Sequence, residues 1–556
     1  MNRRVADMTL HVRWLGRVPY REALAVQQAM FANGRNDHLL LLEHPHVFTH
    51  GPRADLATNV CVSPASVNAE LVAVKRGGDV TYHGPGQLVG YPIVNVANTL
   101  GAADHVCTIQ RVLVATLQEL GVDDVGCLPD YPGVWVGVSS SNPRKIAAIG
   151  VRLANGRTMH GFALNVCPDM RYMRDYIVPC GIGDKPVTSL AEEGVIADMQ
   201  HVVDVVARHA GDAWGEPERQ DVAWKIRPEE LAPFSRGEGS ALGVRATARL
   251  QQAGVSEGLA IESRKPDWLR PKVKLGADVL QLKKTVRDHG LVTVCEEAGC
   301  PNLSDCWADG TATFMVLGDR CTRACGFCLV DTRKPLAPSA DEPTRVAAAI
   351  STMALDHAVL TMVARDDLAD GGFAHVAACV RAIRASSSRT VIETLVSDAR
   401  GDDAALHLLF DDAACRPDVF NHNIETVARL QRAVRPTAGY ARSLSVLARA
   451  KAAGMVVKTG FMLGLGETDD EIAGLLVDLA AIGVDIVTIG QYLRPTDNHL
   501  PVARWADPSE FDGWKAAGEA MGIGHVEASP LTRSSYHAKQ AAAGIELGTT
   551  TAGSFV

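Results

Sequence analysis

The segment CTRACGFC, residues 321–328, decides how the C-terminal half of this chain is organised. Its thiols, Cys321, Cys325 and Cys328, have the spacing CxxxCxxC and follow the strand-like run TFMVLG. Three thiolates can hold three irons of a cubane cluster, which leaves the fourth iron open to a second ligand. A zinc site, the alternative, usually needs four nitrogen or sulfur ligands and pairs of cysteines at CxxC spacing. The segment therefore predicts a loop that binds an iron-sulfur cluster at the end of a strand.

Helical and strand-like segments alternate downstream of this loop. Helical DEPTRVAAAISTMAL precedes strand-like HAVLTMV, and the alternation continues as far as strand-like VDIVTIGQYL. Repeated βα units predict a parallel sheet, either a full or partial barrel or a doubly wound sheet.

A second cysteine triplet lies just upstream, in VCEEAGCPNLSDCW. Cys295, Cys300 and Cys306 have the spacing CxxxxCxxxxxC, so six of the 13 cysteines fall within 34 residues. Uneven spacing in a long chain without a secretion signal argues for metal binding rather than disulfides.

Together the two triplets resemble lipoyl synthase, a radical S-adenosylmethionine enzyme. The resemblance runs from about Lys265 to RSSYHA, residues 533–538, and its motifs are RDDLADGG, VIETLVSDARG, DVFNHNIETV, VRPTAGY, GLGET and TIGQYLRPT. It implies a partial (β/α)6 barrel and two 4Fe-4S clusters, the downstream triplet holding the cluster that binds S-adenosylmethionine. The upstream triplet would hold an auxiliary cluster whose sulfurs enter the product, with Ser534 or Ser535 as its fourth ligand. The chain departs from the family pattern at Met362 and Ala364, which replace a Ser and an Asp.

Two further motifs of the same half are candidates for binding S-adenosylmethionine. A glycine turn after a strand is where barrel-like folds bind ligands, although a plain tight turn explains GLGET equally well. The asparagines of NHNIE could likewise contact the cofactor or close a strand end. The expected contacts are Asn421, Asn423, Glu425, Gly464, Gly466 and Glu467.

The N-terminal half is marked by RGGDVTYHGPGQLVGYP, residues 76–92. Four glycines and Pro85 force tight backbone around Tyr82 and His83, and such a loop lets a substrate lie against the main chain. A purely structural cluster of turns is the alternative. Apolar runs bounded by turn residues, mixed with helical stretches, predict an α+β domain.

Three later motifs follow this loop in order: KIAAIGVR (145–152), HGFALNV (160–166) and VPCGIGDKPVTSL (178–190). With them, residues 10–234 resemble the octanoyltransferase of lipoate biosynthesis, a relative of biotin and lipoate ligases. Acyl transfer from a thioester suits a cysteine nucleophile, and the resemblance gives this role to Cys180, with Lys145 stabilising the thiolate and moving its proton. The expected substrate-binding residues are Arg76, Gly77, Gly78, Asp79, Val80, Thr81, Tyr82, His83, Ala148, Ile149, Gly150, Gly161, Phe162 and Ala163.

Length and composition set the limits for the whole molecule. A chain of 556 residues predicts at least two domains, here 1–234 and 265–556, with a Gly, Ala and Ser-rich linker over 235–264. No apolar run approaches a membrane span and the N-terminus lacks a signal peptide, so a cytoplasmic protein is expected. A net charge of −9 predicts no general attraction to nucleic acid or anionic membranes.

Both resemblances together imply two consecutive reactions. Octanoyl would pass from octanoyl-acyl carrier protein to a lysine of a lipoyl domain, in a 2-oxoacid dehydrogenase or the glycine cleavage H protein. Two sulfurs would then enter at carbons 6 and 8, with electrons from a donor such as ferredoxin or flavodoxin.

Three other interpretations remain open at this point. One is a different radical sulfur-inserting enzyme such as a biotin synthase-like protein, which the upstream triplet and RSSY oppose. Another is a fusion with one inactive half, although both catalytic sets are present. A non-catalytic zinc scaffold is the third. Metal analysis distinguishes the zinc scaffold from the enzyme, because a zinc protein is colourless whereas two cubane clusters give a brown protein with about eight irons.

Overall fold

The computed structural model describes residues 9–96, 101–129, 131–181, 184–224, 249–255, 265–270, 288, 290–293, 302, 306–307 and 310–543, with the backbone alone at Cys180 and Val292. The chain divides into two compact units, Met1–Trp224 and Lys225–Val556. Each unit contains one of the two predicted sites.

The N-terminal unit is built on a mixed sheet. Its strands are β1 (Thr9–Arg17), β2 (Asp37–Glu43), β3 (Val47–His50), β4 (Glu70–Ala73), β5 (Thr81–His83), β6 (Gln87–Ile93), β7 (Val125–Leu128), β8 (Tyr131–Val136), β9 (Arg144–Ala154), β10 (Arg157–Asn165) and β11 (Glu216–Asp221). Eight of them form one sheet in the order β11-β1-β2-β6-β10-β9-β8-β7, and β4-β3-β5 form a second. β1 runs parallel to both β11 and β2. The remaining pairs of this sheet are antiparallel, namely β2–β6, β6–β10, β10–β9, β9–β8 and β8–β7.

The described part of this unit has five helices, which between them contact both of its sheets. They are α1 (Tyr20–Asn33), α2 (Leu56–Asn59), α3 (Ala102–Glu119), α4 (Arg171–Arg174) and α5 (Met199–Trp214). On α3 the residues Ile109, Leu113 and Leu117 recur every four positions, and all three are buried in one core with Leu39 and Leu41 of β2. This arrangement confirms the predicted α+β domain.

The C-terminal unit is a mainly parallel sheet built from repeated βα units. Its strands are β12 (Val292–Thr293), β13 (Thr311–Val316), β14 (His357–Met362), β15 (Val391–Leu395), β16 (Val419–Asn421), β17 (Val456–Leu463), β18 (Ile486–Gln491) and β19 (His525–Ala528). They pair in sequential order, with β13 to β19 parallel and β12 antiparallel at the edge. The predicted parallel fold is therefore confirmed, and the parallel run is one strand longer than the six expected.

The helices between these strands are α6 (Glu342–Thr352), α7 (Phe373–Ser386), α8 (Asp403–Phe410), α9 (Gln431–Val434), α10 (Tyr440–Ala452), α11 (Asp469–Ala481), α12 (Pro508–Ala520) and α13 (Ala538–Ala543). The Thr468 side chain begins α11 through a reciprocal capping box with Glu471, as the T-x-x-E pattern favours. Within the described ranges, no helix combines the length and the apolar character that a membrane crossing requires.

Residues 249–255, which the sequence assigns to the linker, pack on the C-terminal unit. Leu250 and Ala253 are buried, and the Arg429 side chain donates a hydrogen bond to the carbonyl of Ala253. The small residues that suggested a linker instead let this segment lie close to the turn before α11.

Candidate functional site

The predicted cluster loop lines a cavity of about 410 Å³ in the C-terminal unit, after strand β13. Cys321, Cys325 and Cys328 all line it, as do side chains from the ends of the neighbouring parallel strands. The C-terminal ends of parallel strands are the usual place for such a site. The structure therefore brings together the three thiols that the spacing CxxxCxxC selected.

Hydrogen bonds on both sides fix the cysteine loop. The Gly326 amide donates to the carbonyl of Val434 at 2.9 Å, and the Leu500 amide donates to the carbonyl of Gly326 at 2.9 Å. His499 Nε2 donates to the carbonyl of Cys328 at 2.9 Å. A Cβ atom at Gly326 would lie 2.7 Å from the Leu500 side chain, so only glycine fits between these partners.

The pKa values of the buried thiols indicate that they need a nearby cation in order to ionise. Burial raises the pKa of Cys325 to about 12 and that of Cys328 to about 11. Without a cation they therefore stay protonated at neutral pH, whereas iron supplies the charge that stabilises thiolates. Three thiols in the wall of one open cavity match the number of cysteines in a cluster that leaves one iron for another ligand.

A buried ion pair lies behind this loop. The Arg323 guanidinium donates to both oxygens of Asp366 at 2.8 Å and to Asp398 at 2.6 Å. Burial by itself would raise the pKa of Asp398, but Arg323 outweighs it and holds that pKa well below its usual range. This network joins the cysteine loop to the ends of β14 and β15.

Two of the residues expected to contact S-adenosylmethionine line the cavity, namely Asn423 and Glu425. Asn423 Nδ2 donates to Ser534 Oγ at 2.6 Å, and Asn423 Oδ1 is buried with no hydrogen-bond partner in the described part of the chain. Glu425 has the left-handed φ of 68°, and burial raises its pKa. An unusual backbone conformation together with an unpaired buried oxygen is typical of a ligand site.

Asn421 lies away from the cavity lining, in the interior of the sheet. It is fully buried, and its amide donates to Glu393 Oε1 at 2.7 Å, while Lys458 Nζ lies 3.0 Å from Glu393 Oε2. Burial would raise the pKa of Glu393, but Lys458 and His357 lower it to about 2. The structure thus gives Asn421 a partner in a buried charge cluster and leaves its predicted contact with S-adenosylmethionine without support.

The GLGET turn likewise serves packing in this structure. The Glu467 carboxylate accepts the amides of Gly464 at 2.6 Å and Leu465 at 2.9 Å. Gly466 has a φ of 106°, and a Cβ atom there would overlap the Val255 side chain. None of Gly464, Gly466 and Glu467 lines the cavity. Gly466 is needed because residues 249–255 approach the turn closely, and Gly464 because Gln491 and the carbonyl of Arg504 do so; a sequence pattern reveals neither contact.

The predicted auxiliary site is described in part. Cys295 and Cys300 lie outside the described residues, whereas Cys306 is buried and its amide donates to the carbonyl of Asn302 at 3.0 Å. Asn302 Nδ2 in turn donates to the carbonyl of Leu531 at 2.6 Å, which joins this triplet to the RSSY segment. Of the two candidate serines, Ser534 lines the three-cysteine cavity and Ser535 does not.

The N-terminal unit contains a second cavity, of about 320 Å³. Small-molecule sites usually have volumes of ~300–1,000 Å³, so this cavity suits a small ligand. Most of the predicted substrate-binding residues line it, namely Arg76, Gly77, Gly78, Thr81, His83, Ala148, Ile149, Gly150, Gly161, Phe162 and Ala163. Lys145 lines the same cavity.

Asp79, Val80 and Tyr82 were also expected there, but they do not line the cavity. Val80 and Tyr82 are fully buried in a separate core with Tyr172. Successive residues of a strand point to opposite faces, so Thr81 and His83 face the cavity while Tyr82 faces away. Asp79 accepts a hydrogen bond from the Asn59 amide at 2.9 Å and lies beside Gly181.

The proposed catalytic pair occupies neighbouring segments of backbone. Lys145 is 5% exposed, and its ammonium lies 4.9 Å from the centre of the Trp135 ring. Cys180 belongs to the 3-10 turn Pro179–Gly181, with its side chain outside the described residues. The backbone of Lys145 forms a bridge with Val187, seven positions after Cys180 in the same motif.

Several cavity residues were missed from the sequence. In the N-terminal cavity Tyr20, Tyr91 and His160 complete the wall, and burial lowers the pKa of His160 to about 4. His422 and Arg435 likewise complete the wall of the C-terminal cavity. Except for Tyr20, they all fall within motifs quoted above, but nothing in those motifs distinguished wall residues from core residues.

Three family models match the chain. Residues 19–211 match "Lipoyl protein ligase A/B catalytic domain", residues 247–300 match "N-terminal domain of lipoyl synthase of Radical_SAM family", and residues 315–479 match "Radical SAM superfamily". The boundary of the second model agrees with the packing of residues 249–255 on the C-terminal unit.

Curated relatives match the C-terminal half over most of their own length. A lipoyl synthase from Rubrobacter xylanophilus is 52% identical over 278 residues, which cover 50% of this chain and 86% of the relative. A lipoyl synthase from Methylococcus capsulatus is 51% identical, with 50% and 87% covered.

Solved structures resemble each half at low identity. A bipartite lipoate protein ligase from Thermoplasma acidophilum has 16% identity and a TM-score of 0.34, covering 39% of this chain and 88% of its own. An FeFe-hydrogenase maturase from Carboxydothermus hydrogenoformans has 15% identity and a TM-score of 0.33, covering 57% and 67%.

Proposed function

Because this chain belongs to the lipoyl synthase family and carries a lipoyl protein ligase A/B catalytic domain ahead of the synthase, we propose that it makes protein-bound lipoyl groups in two steps. In the first step, octanoyl passes from octanoyl-acyl carrier protein to a lysine of a lipoyl domain. In the second, two sulfur atoms are inserted into the bound chain. The observation that carries the proposal is that Lys145 lines one cavity and the three thiols line the other.

The first step uses a covalent cysteine intermediate. The Cys180 thiolate attacks the carbonyl carbon of the donor thioester, forms a new thioester and releases the carrier thiol. The acceptor lysine amine then attacks the enzyme thioester, forms the amide and releases the thiolate of Cys180. Lys145, a cation in the cavity wall, stabilises the thiolate and moves the proton between donor thiol and acceptor amine.

The N-terminal cavity supplies the acyl site. Ala148, Ile149 and Phe162 provide an apolar wall, and the glycines at 77, 78 and 150 let the chain lie against the backbone. Burial lowers the pKa of His83 well below its usual value, so the imidazole is neutral and adds no charge to this wall.

The second step depends on the family's cofactors, S-adenosylmethionine and two 4Fe-4S clusters. Cys321, Cys325 and Cys328 would hold the first cluster, which when bound supplies the electron that cleaves S-adenosylmethionine and so permits hydrogen abstraction from an unactivated carbon. Asn423 and Glu425 would face the cofactor. The apolar side chains Met362 and Phe461 keep water from the reacting chain.

The auxiliary cluster would be held by Cys295, Cys300 and Cys306. Ser534 would be its fourth ligand, because Ser534 lines the cavity and accepts a hydrogen bond from Asn423. Ser535 lacks both features in the described structure. An oxygen ligand binds iron more weakly than a thiolate, which suits a cluster that must give up sulfur.

The proposed partners follow from the two reactions. They are octanoyl-acyl carrier protein, the lipoyl domains of 2-oxoacid dehydrogenases, the glycine cleavage H protein, and a ferredoxin or flavodoxin as electron donor. The proposed location is the cytoplasm, where thiols stay reduced.

The test is anaerobic mass spectrometry of a lipoyl domain incubated with reconstituted protein, octanoyl-acyl carrier protein, reductant and S-adenosylmethionine. The expected product carries octanoyl plus two sulfurs, and a Cys325→Ala variant should stop at the octanoylated domain. A parallel reaction replaces the acyl carrier substrate with octanoate and ATP. Product from that reaction alone would mean that the first step is ligation and would contradict the transferase proposal.

A further inference from the structure

Two exposed thiols that the proposed function does not use lie on neighbouring elements of the N-terminal unit. Cys107 belongs to helix α3, and Cys127 belongs to strand β7, which forms the edge of the main sheet. Both residues are exposed and both thiols are free in this structure, whereas Cys379 and Cys415 of the other unit are buried. Small reagents can therefore reach Cys107 and Cys127 from the solvent.

The packing of α3 on the β7–β8 hairpin brings the two cysteines to the same level. Gln110 Nε2 of α3 donates to the carbonyl of Gly133 in β8 at 3.1 Å. Cys107 precedes Gln110 by three positions, so the two side chains are neighbours on the helix surface. Cys127 lies in the irregular part of the β7–β8 pairing, opposite residues 132–134. Both cysteines are thus adjacent to the same stretch of β8.

The direction of the side chains agrees with this placement. Val125 of β7 packs against the core that contains Ile109 and Leu113 of α3. Residues two positions apart on a strand share a face, so Cys127 points to the side of the sheet on which α3 lies. Burial raises the pKa of the Cys127 thiol, and the Cys107 thiol raises it further, as expected for two sulfurs that lie close together.

We propose that Cys107 and Cys127 are a modification site, at which a low-molecular-weight disulfide such as oxidised glutathione converts the two thiols into a reversible protein disulfide. The Cys107 thiolate attacks one sulfur of the reagent, forms a mixed disulfide and releases one reduced thiol. Cys127 then gives up its proton and attacks the Cys107 sulfur, which closes the protein disulfide and releases the second thiol. The two cysteines together lose two electrons and two protons, which the reagent gains. A transient disulfide of this kind is compatible with the cytoplasm.

The disulfide acts on the acyl cavity, because α3 and β8 form part of its wall. Val106, next to Cys107, lines the cavity together with Pro132 of β8. Gly133 adjoins the proposed catalytic lysine, since a Cβ atom at Gly133 would lie 3.3 Å from Lys145 Cε. Closing the bond holds α3 against the hairpin and narrows this part of the cavity. Octanoyl transfer is therefore slower in the oxidised protein, a consequence that rests on the proposed function.

The experiment maps the disulfide in the full-length protein after anaerobic incubation with oxidised and reduced glutathione in a series of ratios. Acid stops the exchange, the remaining thiols are alkylated, and trypsin cleaves the chain. Cleavage after Arg111 separates the two cysteines, because peptides 77–111 and 112–144 contain one cysteine each. We expect mass spectrometry to find these two peptides cross-linked, and dithiothreitol to separate them.

Serine variants identify the pair and its effect. Cys107→Ser and Cys127→Ser should stop at the mixed disulfide, whereas Cys61→Ser, the matched control at another exposed cysteine of this unit, should still form the cross-link. After removal of glutathione, the oxidised unaltered protein should transfer octanoyl about 10²-fold more slowly than the reduced protein, the loss that a displacement of about 1 Å can cause. Oxidised Cys107→Ser should lose much less activity, because it reports only the reaction of glutathione with Cys180.

Three results would overturn the proposal. They are the absence of cross-linked peptides at every ratio, unchanged octanoyl transfer in protein that carries the cross-link, and an equal loss of transfer in the unaltered protein and Cys107→Ser. If the reduced unaltered protein transfers no octanoyl, the failure lies with the proposed function. The peptide map then still confirms or contradicts the disulfide, because it does not depend on activity.

Discussion

Lys145 is a buried lysine in the wall of the N-terminal cavity. Its ammonium is almost fully buried and lies over the Trp135 ring, which attracts a cation without neutralising it. We expect Lys145→Ala to lower octanoyl transfer by about 10²–10⁴-fold, the range for loss of a general acid-base group. Sulfur insertion into a lipoyl domain that already carries octanoyl should stay normal, because its proposed site lies in the other unit, and circular dichroism checks the folding of the variant. Normal transfer by Lys145→Ala would contradict the role.

Ser534 and Ser535 of the RSSY motif allow a second test, of which serine binds the auxiliary cluster. Ser534→Ala should stop sulfur insertion while cleavage of S-adenosylmethionine continues, because the first cluster keeps its three cysteines. Ser535→Ala, the matched control, should retain both. Product analysis and Mössbauer spectra of the iron in each variant distinguish the two outcomes, and the reverse pattern would assign the ligand to Ser535.

Residue types and spacing predicted which segments line the two cavities better than they predicted the direction of single side chains. The three thiols, Lys145 and most of the substrate loop lie where the motifs placed them. Tyr82 does not, because strand alternation turns it into the core, and Asn421 is held by Glu393 in the sheet interior. Both outcomes depend on partners from distant segments, which a motif does not contain.

The loop that carries the three thiols depends on close packing of its own elements. Gly326→Ala would place a Cβ atom 2.7 Å from Leu500 and push the loop away from its two backbone partners. We expect this variant to retain much less iron after reconstitution. Gly513→Ala is the control, since a Cβ atom on that position of α12 meets nothing within 4 Å. Equal iron in both variants would show that the loop tolerates the displacement.

Helix α3 contains a buried histidine that makes the N-terminal unit sensitive to acid. His105 packs against Trp214 of α5, and burial lowers its pKa from 6.5 to about 4. In the unfolded chain His105 binds a proton below about pH 6.5, whereas in the folded chain it does so only below about pH 4. The free energy of unfolding therefore falls as the pH is lowered across this interval.

His105→Leu should remove that part of the pH dependence. Between neutral pH and the folded pKa, the loss of stability should be smaller by roughly 3 kcal/mol than in the unaltered protein. Urea unfolding followed by tryptophan fluorescence measures the difference. Parallel pH profiles for the two proteins would mean that His105 accepts a proton in the folded state.

The helices and strands were easier to predict from the sequence than the contacts between them. Alternating helical and strand-like patterns predicted the parallel sheet, because period and order are local properties of a sequence. The role of residues 249–255 was not predictable, because the small side chains that suggested a linker also permit close packing on the turn at Gly466.

At the scale of the whole molecule, the two sets of proposed catalytic residues belong to separate units of the chain. Cys180→Ala should abolish octanoyl transfer and still convert an octanoylated lipoyl domain, whereas Cys325→Ala should do the opposite. A mixture of the two variants should therefore produce lipoylated product. If tethering channels the intermediate, the unaltered chain will be faster than the mixture at equal site concentration, and equal rates will exclude channelling.

The sheet order of the N-terminal unit has a consequence for how the protein is made. β1, the first strand, needs β11 on its outer side, so the unit cannot close until residue 221 has left the ribosome. At synthesis rates of about 5–20 residues per second, Cys295, which lies 74 residues after residue 221, follows roughly 4–15 seconds later. The N-terminal unit can thus complete its sheet before any of the six clustered cysteines emerges, so iron is needed only after that sheet has formed.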